Sequence, residues 1–264
     1  MNLFRIRGIQ LAVHASFLPL LAYVAWEGWR SAAGFSLSTH WLALGWSVAY
    51  VLLIFVCVTL HELGHSFMAR RFGVGVPRIL LLPIGGMAQF DSIPRRPRSE
   101  ILIALAGPAV NFVLIGLLMI FIRFPSHWNQ TEFPLTLTEL LRHLVLINLV
   151  MGLFNLVPVF PMDGGRVFRA LLATRLPYLR ATRIAANTGK VIAVTALVSL
   201  IAWAQLHRQW AEAVMPSLLI VFIFVAGEIE WRAVRRSDLE TEHWQTLRAR
   251  LHPVMPAEPD TTVV

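Results

Sequence analysis

The sequence predicts an all-α polytopic membrane protein with six transmembrane helices and a short membrane-associated β-strand or re-entrant segment after the second helix. Three observations support this fold class. Of the 264 residues, 56% are hydrophobic, and the mean hydropathy of +0.63 is too high for a typical soluble domain. Apolar runs long enough to cross a bilayer recur along the chain. Most of the arginines lie in the segments between these runs.

Six segments account for the predicted spans. About 18 or more mainly apolar residues suffice to cross a hydrocarbon core of roughly 30 Å. The segments that meet or approach this length are residues 9–26, 41–69, 101–122, 140–157, 184–206 and 213–230. The signal is weakest in the first, which His14 interrupts, and in the fourth, which Asn148 and Asn155 interrupt. No small-residue cleavage site precedes Trp26, so we expect the first segment to be a retained span rather than a signal peptide.

The basic residues predict how these spans are oriented. With a cytoplasmic N-terminus, 19 of the 23 Lys and Arg residues fall in inside segments. The four that fall outside are Arg30, Arg123, Arg142 and Arg208. The positive-inside rule therefore predicts that both termini face the cytoplasm. The basic residues form no stripe with interleaved aromatic residues, so the net charge of +8 does not indicate nucleic-acid binding.

The remaining residues form loops and a tail. We expect a six-span membrane domain at residues 1–235 and a short polar cytoplasmic tail at residues 236–264. The longest inside loop contains an apolar stretch, residues 78–90, that is too short to span and is broken by proline and glycine. We expect extended backbone there, buried in protein or paired. The single cysteine, Cys57, lies within the second span, which excludes disulfides and a cysteine-based metal site and favours apolar packing.

The second span ends in His61-Glu62-Leu63-Gly64-His65, an HExxH motif. On a helix, residues four apart lie about 40° apart around the axis and roughly 6 Å along it, so both imidazoles can bind one metal ion. Glu62 is then positioned to accept a proton from a water that the metal activates. Histidine and glutamate are costly to bury at the end of an apolar run. This cost favours a metal site over a pair of interfacial histidines beside a glutamate that reaches to water.

A third protein ligand must come from elsewhere, because a catalytic zinc ion usually has three. Among the other histidines, His14 is the one candidate within the membrane. Asp163 is the better candidate, because the predicted topology puts it at the inside end of the fourth span, at the depth of the HExxH motif. Asp91 and Glu100 compete, but both flank arginines in the inside loop. We expect those two carboxylates to be surface charges.

Four motifs in this order resemble those of the site-2 protease family, peptidase family M50, of intramembrane zinc metalloproteases. They are the HELGH helix, the Gly85-Gly86 loop, Ala106-Gly-Pro-Ala-Val-Asn111, and Asn155-x-x-Pro-x-x-Pro-x-Asp163-Gly. The resemblance covers about residues 8–235. The opening Gly8-Ile-Gln-Leu-Ala-Val-His14 also resembles the subgroup that often carries nucleotide-sensing CBS domains. We expect no CBS pair and no PDZ insertion here, because the segments outside the spans are too short.

The resemblance implies a zinc metalloendopeptidase that cleaves transmembrane or membrane-proximal segments of membrane proteins in regulated intramembrane proteolysis. It implies one Zn²⁺ ion per chain with the ligands His61, His65 and Asp163, and it makes Glu62 the residue that activates water. Two imidazoles and one carboxylate can also hold other divalent ions, so zinc is an inference from ligand type. The expected location is the inner (plasma) membrane of a prokaryotic cell, with the active site open towards the cytoplasm.

The resemblance gives further residues a role. Asn155 would position or polarise the scissile carbonyl, although a helix-packing hydrogen bond is an alternative. Gly85 and Gly86 would belong to a strand region that holds an unwound substrate by edge pairing, although two glycines can also mark a turn. Gly107 and Asn111 are expected to serve close helix packing rather than chemistry.

Two other functions stay open on the sequence. A non-proteolytic scaffold would bind transmembrane partners without cutting them, and its expected sign is loss of a ligand or of the glutamate, which this chain retains. A metal transporter would place polar residues along a path through several spans, whereas here they cluster at one face. The expected partners are transmembrane protein substrates and membrane lipid, with no nucleic acid. The oligomeric state does not follow from the sequence.

Overall fold

The computed structural model describes residues 1–83, 85–91, 95–122 and 137–251, which are mainly helical. In chain order the elements are β1 (Asn2–Ile6), β2 (Ile9–Val13), α1 (Phe17–Ser31), α2 (Leu37–Arg71), β3 (Arg78–Leu82), β4 (Gly85–Gln89), α3 (Pro97–Phe121), α4 (Leu137–Asn155), α5 (Asp163–Ala173), α6 (Tyr178–His207) and α7 (Trp210–Leu251). Arg123, predicted to face away from the cytoplasm, and residues 252–264 of the predicted tail lie outside the described residues.

Five helices in the described part of the chain are long and apolar enough to cross a membrane. They are α2, α3, α4, α6 and α7, and each overlaps one of the predicted segments from the second to the sixth. The chain is therefore an integral membrane protein. α7 continues to Leu251, so residue 235, the predicted end of the membrane domain, lies inside a continuous helix.

The ends of α2 follow from its sequence. The Ser36 hydroxyl accepts a hydrogen bond from the backbone amide of Thr39 and caps the first turn. At the other end Gly73 has a φ of +78°, and its amide donates to the carbonyl of Arg70 while that of Val74 donates to the carbonyl of Ala69. This is a Schellman motif, and it ends the helix at Arg71, six residues after the HExxH motif.

The prediction of a first span over residues 9–26 is wrong at its start, where Ile9–Val13 forms the strand β2. A short apolar run fits a buried strand as well as a buried helix, and only the pairing partner distinguishes them. The helix that follows, α1, has 15 residues. Its length of about 22 Å is less than the roughly 30 Å of a hydrocarbon core.

The strands form one sheet in the order β1-β2-β3-β4. β1 and β2 are antiparallel and are joined by Arg7 and Gly8, which both have positive φ, as a type I′ hairpin requires. β2 pairs with β3 in parallel, and β3 pairs with β4 in antiparallel orientation. The extended backbone predicted after the second span is therefore confirmed as β3 and β4, and β4 lies at an edge of the sheet.

One face of the sheet packs against the HExxH region. A buried apolar cluster joins β2, β3, the loop before β3, α2 and α3 through Ile9, Leu11, Leu63, Ala69, Val74, Val76, Ile79, Leu81 and Ile103. Leu63 thus anchors the middle of the HExxH motif in the core. A Cβ on Gly64 would lie 2.7 Å from the carbonyl oxygen of Ala106, so this glycine allows α2 and α3 to approach closely.

Candidate metal centre

His61, His65 and Asp163 meet at one buried point. The Nε2 atoms of His61 and His65 lie 3.4 Å and 3.1 Å from Oδ2 of Asp163, and they lie 3.1 Å from each other. The three side chains are at most 10% exposed. In the part of the chain that the structure describes, they form the one group of three or more His, Cys, Asp or Glu residues able to hold a metal ion.

The spacing of these atoms fits a zinc ion. In a tetrahedral zinc site with ligand distances of about 2.0–2.2 Å, neighbouring ligand atoms lie about 3.3–3.6 Å apart. The observed separations of 3.1, 3.1 and 3.4 Å are close to this value. Asp163 Oδ2 is buried and accepts no well-formed hydrogen bond from the described residues. A buried carboxylate oxygen without a donor is costly, and a cation bound between the three atoms removes that cost.

The hydrogen bonding of His65 directs it towards this point. Its Nδ1 lies 2.7 Å from the carbonyl oxygen of Ile103 on α3. A carbonyl can only accept, so Nδ1 carries the hydrogen, and the Nε2 of the neutral imidazole presents its lone pair to the point between His61, His65 and Asp163, where a metal ion would bind. Metal-ligating histidines in proteins usually donate their other ring N–H in this way.

Gly107 makes room for the two imidazoles. It lies on α3 opposite the HExxH motif, and a Cβ there would overlap Nε2 of His65 and lie 2.8 Å from Cε1 of His61. The expectation that Gly107 serves helix packing therefore missed its contact with the site. The absence of a side chain at this position allows both rings to lie against α3.

Asp163 is held at the first turn of α5. The next two residues are glycines that lie against the preceding loop, and a Cβ on Gly165 would be 2.6 Å from the carbonyl carbon of Val159. Burial raises the pKa of Asp163, but His61 and His65, when their Nε2 atoms carry hydrogen, outweigh burial by hydrogen bonding and charge and lower the pKa to about 2. The start of a helix also favours negative charge. The carboxylate is therefore ionised, as a metal ligand must be.

Glu62 contacts the edge strand β4. Its Oε2 accepts a hydrogen bond of 3.2 Å from the amide of Ala88. A Cβ on Gly86 would lie 2.5 Å from Cγ of Glu62, so a glycine is needed where the strand crosses this side chain. Gly85 has a φ of +141°, which side chains rarely adopt. The two predicted glycines thus serve two requirements, space at Gly86 and backbone conformation at Gly85.

The register of β4 shows which of its backbone groups point away from β3. Ala88 pairs with Ile79 of β3, yet its amide points away from β3 towards Glu62. Pairs in an antiparallel ladder alternate between hydrogen-bonded and non-hydrogen-bonded, so Gly86, two residues earlier, has the same orientation. The N–H and C=O groups of Gly86 and Ala88 therefore face the open edge of the sheet, beside Glu62.

Three other residues singled out in the sequence make different contacts. Asn155 is the last residue of α4, and its Nδ2 donates to the carbonyl of Met151, one turn earlier in the same helix. His14 is exposed, with its Nδ1 2.7 Å from the hydroxyl of Ser16. Asp91 is also exposed. Among the described residues, neither His14 nor Asp91 belongs to the group of candidate ligands.

The prediction that Glu100 is a surface charge is wrong. Glu100 is 0% exposed, and its Oε1 accepts hydrogen bonds of 2.8 Å and 2.5 Å from Nε and Nη2 of Arg169 on α5. Arg169, also 0% exposed, donates a further bond of 2.5 Å to Glu230 on α7. A buried charge needs such a partner. Through these two ion pairs, Arg169 connects α5, which carries Asp163, to α3 and α7.

Comparison with known proteins identifies the family. The sequence model described as Peptidase family M50 matches residues 49–196, more than half of the chain. The chain belongs to peptidase family M50. The matched residues include the HExxH motif, the Gly107 region and Asp163, so the predicted resemblance to the site-2 protease family is confirmed.

Individual known proteins are similar over much of the chain. A zinc metalloprotease of Methanocaldococcus jannaschii is 38% identical over 88% of this chain and 61% of that relative. Stage IV sporulation protein FB of Bacillus subtilis is 28% identical over 75% of this chain and 61% of that relative. The chain thus spans about three fifths of the length of each. The solved site-2 protease from Methanocaldococcus jannaschii has a TM-score of 0.58 at 36% identity, covering 88% of this chain and 94% of that one.

The family and the geometry agree on the cofactor. The chain belongs to family M50, and its relatives include a zinc metalloprotease. His61, His65 and Asp163 fit one zinc ion. The predicted cofactor is therefore confirmed. The structure also adds three residues to those expected at the site: Gly107, Ile103 and Ala88 contact the histidines or Glu62 directly.

Proposed function

We propose that this chain is an intramembrane zinc metalloendopeptidase that cleaves transmembrane or membrane-proximal segments of membrane proteins, as in regulated intramembrane proteolysis. The observation that carries the proposal is the buried triangle of His61, His65 and Asp163 at the end of an apolar helix, with Glu62 between the histidines. A zinc ion held by these ligands would polarise the scissile carbonyl and lower the pKa of a water.

Glu62 is the proposed proton acceptor. Its carboxylate takes the proton from the attacking water and returns it to the leaving amine, as a general base and then a general acid. The side chain is partly exposed, and its one hydrogen bond to a described donor is from Ala88. Asn155 is the proposed donor to the oxygen of the scissile carbonyl. For this role its amide would turn away from the carbonyl of Met151.

The open edge of β4 is the proposed substrate-binding strand. A peptide bond inside a helix has its carbonyl engaged and shielded, so a transmembrane substrate has to unwind before cleavage. An unwound segment can pair with the outward N–H and C=O groups of Gly86 and Ala88, which replaces the hydrogen bonds lost from the helix. Gly85 and Gly86 support this arrangement, since the strand lies directly against Glu62.

The proposed membrane arrangement has six membrane elements in a domain of residues 1–235. α1 joins the five long apolar helices as a further membrane element, and its exposed apolar residues include Leu18, Tyr23 and Trp26. β3 and β4 are the membrane-associated segment after α2. Arginines lie at the end of α2 and the start of α3, on the side of the metal site. This distribution supports an active site open to the cytoplasm and an inner-membrane location in a prokaryotic cell.

New amino termini in membrane proteins provide the test. Membranes from cells that produce the wild-type chain, Glu62→Gln or the exposed control Glu240→Gln are compared by amino-terminal labelling and mass spectrometry. We expect new termini within or beside transmembrane segments with the wild type and the control, and none with Glu62→Gln. Membrane proteins that co-purify with the wild type but remain uncut would support the scaffold instead, and equal cleavage by all three would contradict the role of Glu62.

A further inference from the structure

Asn111, on α3, lies against the outer side of His61. Its Nδ2 is 3.1 Å from Nδ1 of His61, and the two residues are 0% and 4% exposed. The amide oxygen Oδ1 of Asn111 is buried and has no hydrogen-bond partner among the described residues. In this orientation the Nδ2 of Asn111 donates to Nδ1 of His61, and the Oδ1 of Asn111 receives no hydrogen bond from the described residues.

This orientation conflicts with the geometry of the metal group. If Asn111 donates to Nδ1, a neutral His61 has its hydrogen on Nε2, the atom that lies 3.4 Å from Asp163 and 3.1 Å from His65. An Nε2 that carries hydrogen cannot bind a metal ion. The oxygen and nitrogen of an asparagine amide have nearly the same shape, so their assignment depends on the hydrogen-bond network.

Rotating the amide by 180° resolves both problems. The oxygen of Asn111 then accepts from Nδ1–H of His61, which satisfies the buried oxygen and leaves the lone pair of Nε2 for the metal. The same arrangement already holds His65, whose Nδ1–H donates to the carbonyl of Ile103. Ile103 and Asn111 are eight residues apart on α3, about two turns, with Gly107 midway and directly against both rings.

We infer that Asn111 is a positioning residue that keeps His61 in its metal-binding tautomer by accepting the Nδ1 hydrogen. The inference rests on the proposed function in one respect, namely that His61 is a metal ligand. α2 supplies the two imidazoles, and α3 supplies an acceptor for each. The expectation that Asn111 serves helix packing therefore gives way to a role at the metal centre, and Gly107 and Asn111 of the Ala106–Asn111 motif contact the same site.

The test is the zinc affinity of the full chain in detergent, measured by competition with a chelator. Asn111→Leu removes the acceptor and is expected to weaken zinc binding by about 10- to 100-fold. Asn111→Asp restores an acceptor of the same shape and is expected to bind zinc within a few-fold of the wild type. Asn148→Leu is the matched control, because Asn148 is equally buried but donates to Cys57 and Leu144.

The outcomes separate this inference from the proposed ligand set. Wild-type affinity in Asn111→Leu, or loss of affinity in Asn111→Asp equal to that in Asn111→Leu, would overturn the positioning role. If Asn111→Leu does not fold, Asn111→Ala against Asn148→Ala decides the same question without added bulk. His61→Ala is measured alongside, and wild-type affinity in that variant would show that the ligand set itself is wrong.

Discussion

The backbone amide of Ala88 donates a hydrogen bond of 3.2 Å to the carboxylate of Glu62. This contact joins the open edge of β4 to the helix that carries both histidines. A substrate strand that pairs with β4 would use the same amide, so its arrival would release Glu62 from the strand. On the proposed function, one hydrogen bond would therefore couple substrate docking to the position of the Glu62 carboxylate.

Replacing Ala88 with proline tests this coupling. Proline removes the amide hydrogen but leaves the ladder with β3, because this N–H points away from β3. The amide would otherwise pair with a substrate carbonyl, and a hydrogen bond between neutral groups contributes about 0.5–1.5 kcal/mol, so we expect kcat/KM to fall about 2- to 10-fold. Zinc content should stay at the wild-type level. Ala88→Gly keeps the amide and should cleave normally; wild-type cleavage by Ala88→Pro would exclude pairing of the Ala88 amide with the substrate.

A methyl group on Gly86 should misplace Glu62. The added carbon would lie 2.5 Å from Cγ of Glu62, so the carboxylate has to move. A displacement of about 1 Å can cost roughly 100-fold in rate, and we expect Gly86→Ala to lower kcat by about 10- to 100-fold with zinc affinity unchanged. Gly45→Ala on α2, where no atom lies within 4 Å, is the control. Equal rates in the two variants would show that Glu62 tolerates the methyl group.

Gly107→Ala should weaken metal binding. Its Cβ would overlap the ring of His65 and press on that of His61, so the two Nε2 atoms could no longer approach Asp163 together. We expect zinc affinity to fall about tenfold or more, measured by chelator competition. Gly116→Ala lies on the same helix in open space and should bind zinc as the wild type does. A normal affinity in Gly107→Ala would mean that α3 can move away from the rings.

Removing Arg169 should destabilise the fold. Loss of one partner of a buried ion pair typically costs about 3–5 kcal/mol, so Arg169→Ala should lower the midpoint of thermal unfolding in detergent. Arg232→Ala, whose side chain is 70% exposed, should leave the midpoint close to that of the wild type. Adding Glu100→Leu to Arg169→Ala should recover part of the loss. If the double variant shows no such recovery, the unpaired carboxylate of Glu100 is not what lowers the unfolding midpoint of Arg169→Ala.

Hydropathy and motif spacing predicted most of the helices and the candidate metal ligands. A long apolar run has few alternatives in a membrane, which is why the segments from the second to the sixth agree with α2, α3, α4, α6 and α7. Asp163 is 98 residues beyond His65 in the sequence. Charge asymmetry placed both residues at one membrane face, where the structure brings their side chains within 3.1 Å.

The features that the sequence did not predict depend on distant partners. Hydropathy alone predicts that Ile9–Val13 is part of a span, because the strand that pairs with it, β3, lies some 70 residues later in the sequence. Glu100 reads as a surface charge until Arg169 is known to face it in the core. Asn111 reads as a packing residue until His61 is found beside it. In each case the local sequence fits both interpretations, and the tertiary contact decides between them.

Zinc stoichiometry tests the two-helix metal centre most directly. The full chain is purified as the wild type, Asp163→Ala and Glu62→Gln, equilibrated with zinc and analysed by elemental mass spectrometry after removal of free metal. We expect one zinc ion per chain in the wild type and in Glu62→Gln, which lacks only the proton acceptor, and none retained by Asp163→Ala. Full zinc content in Asp163→Ala would contradict a site that joins α2 to α5.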